Sequence, residues 1–249
     1  MTALKTALKI SLLVAAVSAW ILLVPEHLNA AAKIKLSESN YSFGKITQHK
    51  IMTKRFWIKS VGDKPARITE ALQDCACTNI YLTDSLIKPG DSVPLDISLN
   101  SRSFIGFVNK RSHYLVEGSP DTTYLMLYAE VLIKPEDYKP ISLAPLPVDV
   151  SQFSEKPRRK GVFTLTNNGP DTYKIIVVDS THKSFDVQVP AEIKPGQKIE
   201  GVVIVKKGKI KTSFDESFAI EFTDDGRTRL SIPVSRVYSI SQGAVGATR

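Results

Sequence analysis

Two β-sandwich domains in tandem, behind an N-terminal export segment, form the all-β architecture that this 249-residue sequence predicts. Three observations lead to it. Beyond residue 33, short apolar runs alternate with period two and stop at Gly, Pro, Asn or Asp, and no stretch keeps a helical period. The turn Ile87-Lys88-Pro89-Gly90 and the alternating strand after it recur downstream as Ile193-Lys194-Pro195-Gly196 followed by residues 202–205, which marks a tandem repeat. The 43% of hydrophobic residues suffices for real cores, and two cysteines exclude a disulfide-stapled miniprotein, so packing must hold the fold.

The chain opens with Lys5 and Lys9, an apolar run over residues 10–24, Pro25, and the small residues Ala30, Ala31 and Ala32. This is the layout of a secretory signal peptide over residues 1–32, with the mature chain starting at Lys33. The run is shorter than the roughly 20 residues of a spanning helix, yet an uncut segment would anchor the chain in an inner membrane through residues 10–24. Either way the expected location is the periplasm or another extracytoplasmic compartment of the cell envelope. No lipobox cysteine is present.

The formal charge of +8 is spread over both halves, with clusters at Lys156, Arg158, Arg159, Lys160 and at Lys206, Lys207, Lys209, Lys211. Neither cluster interleaves aromatic residues, so nucleic acid is not an expected partner. The lysines and arginines read as solvated loop and edge-strand residues that discourage sheet-to-sheet aggregation. Membrane contact is expected only through an uncut signal segment.

The first domain is assigned to residues 33–134. Residues 54–60 place Phe56 and Ile58 on one face and Trp57 on the other. Residues 93–99 alternate with Val93, Leu95, Ile97 and Leu99 inward, and the nearly continuous apolar run 124–133 reads as a central strand closing the domain. Residues 135–147, with Pro135, Pro140, Pro145 and Pro147, read as a semi-rigid linker. The second domain is assigned to residues 148–238, with Phe163-Thr164 and Asn167-Asn168-Gly169-Pro170 corresponding to Trp57-Ile58 and Val61-Gly62-Asp63-Lys64-Pro65. Repeats of roughly 100 residues with some seven short strands each predict immunoglobulin-like sandwiches. The small, polar tail 239–249 is expected to be disordered.

The first domain carries, in order, Tyr41-Ser42-Phe43-Gly44, a Trp57-containing strand, a Gly62 to Pro65 turn, Cys75-Ala76-Cys77-Thr78 and Ile87-Lys88-Pro89-Gly90. Over residues 35–133 this resembles an uncharacterised bacterial domain-of-unknown-function family. Its signature is an aromatic-x-Phe-Gly start, a Cys-Gly-Cys-Thr motif and an Ile-x-Pro-Gly turn. Members look like relatives of the Hydin and major-sperm-protein immunoglobulin-like domains. The resemblance implies export and an immunoglobulin-like fold, and no chemistry. Ala76 departs from the family's glycine, and the second domain matches only the generic fold.

Cys75 and Cys77 are the residues that could carry chemistry. In a flat strand their side chains share a face but stand too far apart for a disulfide. Three readings stay open: a disulfide across a bulge, a soft-metal site holding Cu(I) or Zn on the two thiolates, and thiols inert in the core. His49, Met52 and His113 are distant in sequence and weak as further ligands. At the repeat offset the second domain has Thr181 and Lys183, so the sandwich itself does not require sulfur there. No helix start is available to lower a thiol pKa, so general disulfide exchange is not expected. Nucleophile-elbow, zinc-protease and phosphate-loop motifs are absent, the histidines have no partners at motif spacing, and Asp74 and Asp84 beside the cysteines make no acid–base pair. No catalytic residue and no resident cofactor are assigned, and an enzyme is not expected. The leading expectation is a non-catalytic envelope module that binds a protein or peptide partner through sandwich edges, loops or the interdomain angle. The alternatives are a periplasmic two-domain chaperone for surface-structure subunits, lending the strand 124–132, and metal or redox handling by Cys75 and Cys77.

Overall fold

The computed structural model describes residues 31–134, 138–179, 183–223 and 226–239. The signal segment, apart from its last two residues, Pro135, Thr181 and the tail after Ser239 lie outside them. The first domain contains β1 (Ile34–Leu36), β2 (Asn40–Thr47), β3 (Ile51–Ser60), β4 (Ala66–Gln73), β5 (Thr78–Leu82), β6 (Leu86–Ile87), β7 (Ser92–Asn100), β8 (Gly106–Val116) and β9 (Thr122–Leu132). The second contains β10 (Ile141–Ala144), β11 (Val148–Asp149), β12 (Lys160–Asn167), β13 (Tyr173–Val178), β14 (Phe185–Gln188), β15 (Glu192–Ile193), β16 (Lys198–Val205), β17 (Phe214–Phe222) and β18 (Arg229–Arg236).

The repeat read from the turns is a repeat of topology. One sheet of the first domain runs β1-β3-β7-β5, and its counterpart in the second runs β10-β12-β16-β14. Both Ile-Lys-Pro-Gly turns are held alike: Gly90 N donates to Ser60 O at 3.1 Å and Gly196 N to Asn167 O at 3.0 Å. Their φ angles of +83° and +70° lie in the left-handed region, which only glycine adopts without cost. Alternation then decides burial: Phe56, Ile58, Leu95, Ile97 and Leu99 are buried while Trp57 faces outward. Val93, expected inward with them, is half-buried at the strand's start.

The assigned linker is corrected by the structure. Residues 141–144 pair with β12, from Ile141 opposite Asn167 to Ala144 opposite Thr164, and bury Ile141 and Leu143. The prolines flank this strand instead of interrupting it, and an edge strand tolerates them because one side of its ladder is unused.

The domains are also fused by a sheet. The order β15-β13-β17-β18-β2-β9-β8-β4-β6 crosses from the second domain to the first where β18 runs parallel to β2. Gly44 of the Tyr-Ser-Phe-Gly motif sits at this seam with φ +68°, and a Cβ there would stand 2.2 Å from the Arg229 carbonyl oxygen. Only glycine lets the two backbones approach so closely. Arg229 donates to Ser42 O at 2.6 Å and Ser231 Oγ to Phe43 O at 2.6 Å. A second seam joins β3 to β17, with Thr53 N donating to Ser217 Oγ at 2.8 Å and Ser217 N to Thr53 Oγ1 at 3.1 Å. Residues 124–132, the strand a chaperone would lend to a subunit, are hydrogen-bonded on both sides, to β8 and β2. That ladder leaves no free edge for an added strand.

Candidate functional site

Cys75, Ala76 and Cys77 lie in the turn by which the chain leaves β4 in one sheet and enters β5 in the other. The flat-strand geometry assumed from the sequence therefore does not apply. The Cα atoms of the pair are 5.2 Å apart, against about 6.6 Å for two steps of extended strand, and the sulfurs are joined in a disulfide. Cys77 is buried and Cys75 is partly buried against the same core. Cys77 N donates to Cys75 Sγ at 3.1 Å, and Asn100 N to Cys77 O at 2.7 Å. The Arg102 guanidinium reaches across from the β7–β8 loop and donates to the Ala76 carbonyl at 2.6 Å.

The other residues singled out in the sequence have these places in the fold. Met52 is buried in the core, and His113 packs against Tyr124 with ring centroids 6.2 Å apart. His49 occupies a turn with φ +55°. Among the described residues, no three His, Cys, Asp or Glu side chains cluster together. Asp74 pairs with Arg111 at 3.4 Å, and Asp84 accepts from Leu86 N at 2.9 Å, so both stabilise turns. In the basic clusters, Arg158 donates to Asp149 O at 2.9 Å, Arg159 to Val205 O at 3.3 Å and Lys206 to Lys183 O at 2.9 Å.

Two interdomain features were not foreseen. A cleft of about 650 Å³ opens where the outer face of β2, β9 and β8 meets the β17–β18 hairpin. Phe107, 87% exposed, and Tyr128, 40% exposed, line it together with Glu130, Lys45 and the paired Arg229 and Glu221. Arg229 lies 4.9 Å from the centroid of the Tyr41 ring. Burial pushes the Tyr41 hydroxyl pKa far above its ordinary value. The second feature is a buried polar cluster. Lys183 Nζ donates to Thr53 O at 2.8 Å and faces Asp179 at 3.8 Å, and Asp179 also meets Lys54 at 3.6 Å. Burial pushes the Asp179 carboxyl up and the Lys183 ammonium down, each opposed by the charge of the other. An alternating-strand reading of the sequence has no signal for either feature, because both are assembled from strands far apart in the chain.

Residues 34–131 match the model of a family described as Protein of unknown function (DUF1573). No curated protein matches the chain. Among solved structures, a protein of unknown function from Porphyromonas gingivalis W83 is similar at 12% identity and TM-score 0.32, over 82% of this chain and 98% of that one. The PapD-like domain 7 of human CEP192 is similar at 8% identity and TM-score 0.36, over 45% of this chain and 94% of that one. The titin domains z1z2, solved in complex with telethonin, are similar at 8% identity and TM-score 0.27, over 86% and 99%. The chain is an all-β protein with two β-sandwich cores, the first of which carries the DUF1573 match. Among the described residues no helix is long and apolar enough to cross a membrane.

Proposed function

We propose that this is a non-catalytic, exported cell-envelope module that holds an extended segment of an envelope protein or peptide in the cleft between its two domains. The observation that carries this reading is the cleft itself, lined by exposed Phe107 and Tyr128 together with Lys45, Glu130, Arg229 and Glu221. Its volume of about 650 Å³ is in the range of built ligand sites, and aromatic side chains beside fixed polar groups suit a peptide with both side-chain and backbone needs. The sheet shared across the seam supports the reading further, because a binding surface already held in shape loses little entropy when a partner docks.

Export rests on residues 1–32, and the mass of the mature chain checks it: a first residue of Lys33 supports cleavage, and retention of residues 10–24 supports an anchor. The binding reading is tested by placing a photo-crosslinking side chain at position 107 or 128 in the native envelope. Val162 on β12, exposed and away from the cleft, serves as the control position. Discrete adducts of one mass at 107 and 128, absent at 162, are expected. Equal labelling at all three positions would sink the cleft as a binding site.

A further inference from the structure

The Cys75–Cys77 disulfide is poorly explained as a structural staple. It closes a loop with a single residue inside, and the stabilisation gained from a cross-link is least for the shortest loops. The second domain turns the same corner without sulfur. There Lys206 N donates to Ser184 O, as Asn100 N donates to Cys77 O, and Ser184 Oγ is held by Glu216 at 2.6 Å.

What surrounds the bond instead suits exchange chemistry. Cys75 is partly buried at the edge of the core, whereas Cys77 is fully buried, so Cys75 is the more accessible of the two to an incoming thiolate. The Arg102 guanidinium is fixed to the carbonyl of Ala76, between the two cysteines, at 2.6 Å. The backbone is shaped to put it there. Arg102 is left-handed at φ +43°, its N–H donates to Asn100 Oδ1 at 3.0 Å, and its carbonyl accepts from His49 N at 2.8 Å. A permanent cation over the loop favours thiolate at either sulfur, and the Cys77 N–H aimed at Cys75 Sγ at 3.1 Å favours it at Cys75 in particular. The sequence argument against exchange rested on the lack of a helix N-terminus. Arg102 instead brings a positive charge to the same loop from another part of the chain.

We infer that Cys75–Cys77 is a reversible redox site that takes two electrons from the dithiol of a partner protein in the envelope. This goes beyond the cleft-binding reading. A partner thiolate attacks Cys75 Sγ, the Cys75–Cys77 bond breaks, and its electron pair leaves on Cys77 Sγ, which takes up a proton. The partner's second thiolate then attacks its own sulfur in the mixed disulfide and releases Cys75. The partner ends as a disulfide, having lost two electrons and two protons, and this chain ends with two thiols. Cys75 is the exchanging residue, and Arg102 acts on it as a positioning residue.

The test uses the full mature chain in native buffer with graded ratios of reduced and oxidised glutathione, read by intact mass after alkylation and by circular dichroism. The expected result is complete, reversible conversion between disulfide and dithiol with the β signal unchanged. A second measurement follows iodoacetamide reaction of Cys75 against pH in a Cys77→Ser background. Adding Arg102→Gln should raise the pH midpoint by about one unit, roughly a tenfold loss of thiolate at neutral pH, and Arg102→Lys should restore most of it. Reduction only at denaturant concentrations that unfold the chain would overturn the inference. So would a midpoint indifferent to Arg102→Gln. Crosslinking at Phe107 is read separately, so either proposal can fail alone.

Discussion

The corner between β4 and β5 and its counterpart between β13 and β14 occupy the same place in two sandwiches and are secured in different ways. In the first domain the turn carries the Cys75–Cys77 bond and is tied to β7, β8 and the loop between them by Asn100 N, the Asp74–Arg111 pair and the Arg102 side chain. In the second, Lys183 and Ser184 tie the turn to other strands: Lys183 reaches Thr53 in the first domain, and Ser184 is held by Glu216 on β17. Hydrogen-bond equivalence places Ser184, not Lys183, opposite Cys77. A corner turned toward the neighbouring domain has side chains from that domain to satisfy it. The β4–β5 corner is held by side chains of its own domain instead, and it carries the disulfide.

The comparison is broken most severely at Lys183. Lys183→Met leaves the buried Asp179 carboxylate with Lys54 as its ion-pair partner among the described residues, and removing one partner of a buried pair costs about 3–5 kcal/mol. The expected outcome in a urea titration is a lower midpoint and separation of one transition into two, the first being release of the domains from one another.

Alkaline pH tests the two cores next. Burial, slightly offset by the hydrogen bond with Ser112, raises the Tyr114 hydroxyl pKa to about 12 from 10.0, and Tyr138 in the second core is raised by burial as well. Between these values the unfolded chain has lost the Tyr114 proton and the folded chain has kept it. The contribution is therefore present below pH 10 and lost as pH rises toward 12, by roughly 3 kcal/mol. Tyr114→Phe should flatten that part of the stability profile, measured as the difference from the parent chain at each pH.

Replacing Cys75 and Cys77 together by serine should cost less, roughly 1.6 kcal/mol from the chain entropy of so short a loop, with the β signal retained. A loss as large as that of Lys183→Met would mean the bond is structural after all. The smallest effect tests the likeness of the repeats: Gly90→Ala and Gly196→Ala each force a side chain into a left-handed turn with open space around it, at about 1 kcal/mol apiece. Unequal values in thermal denaturation would show that the two turns carry different loads.

Much of this fold was legible in the chain. Period-two alternation identified the inward faces of β3 and β7, because a pleated strand can bury only every second residue. The twin Ile-Lys-Pro-Gly turns identified the repeat, because a left-handed turn calls for glycine. The residues 135–147 misled, since proline density says linker while the buried Ile141 and Leu143 between the prolines make an edge strand. The cysteine pair was found by its composition, but its geometry was assumed to be that of a strand, and its cation, Arg102, enters from a loop with no sequence mark.

The sequence by itself determined the strands, their inward faces, the tandem repeat and the location of the sulfur pair, all of which depend on residues close together in the chain. The tertiary structure alone decided that β18 would join β2, that Gly44 would lie against Arg229, that a cleft would form around Phe107, and that Arg102 would stand over Ala76. These are meetings between residues far apart in sequence. They depend on how two finished sandwiches and their loops pack, and no local periodicity encodes that.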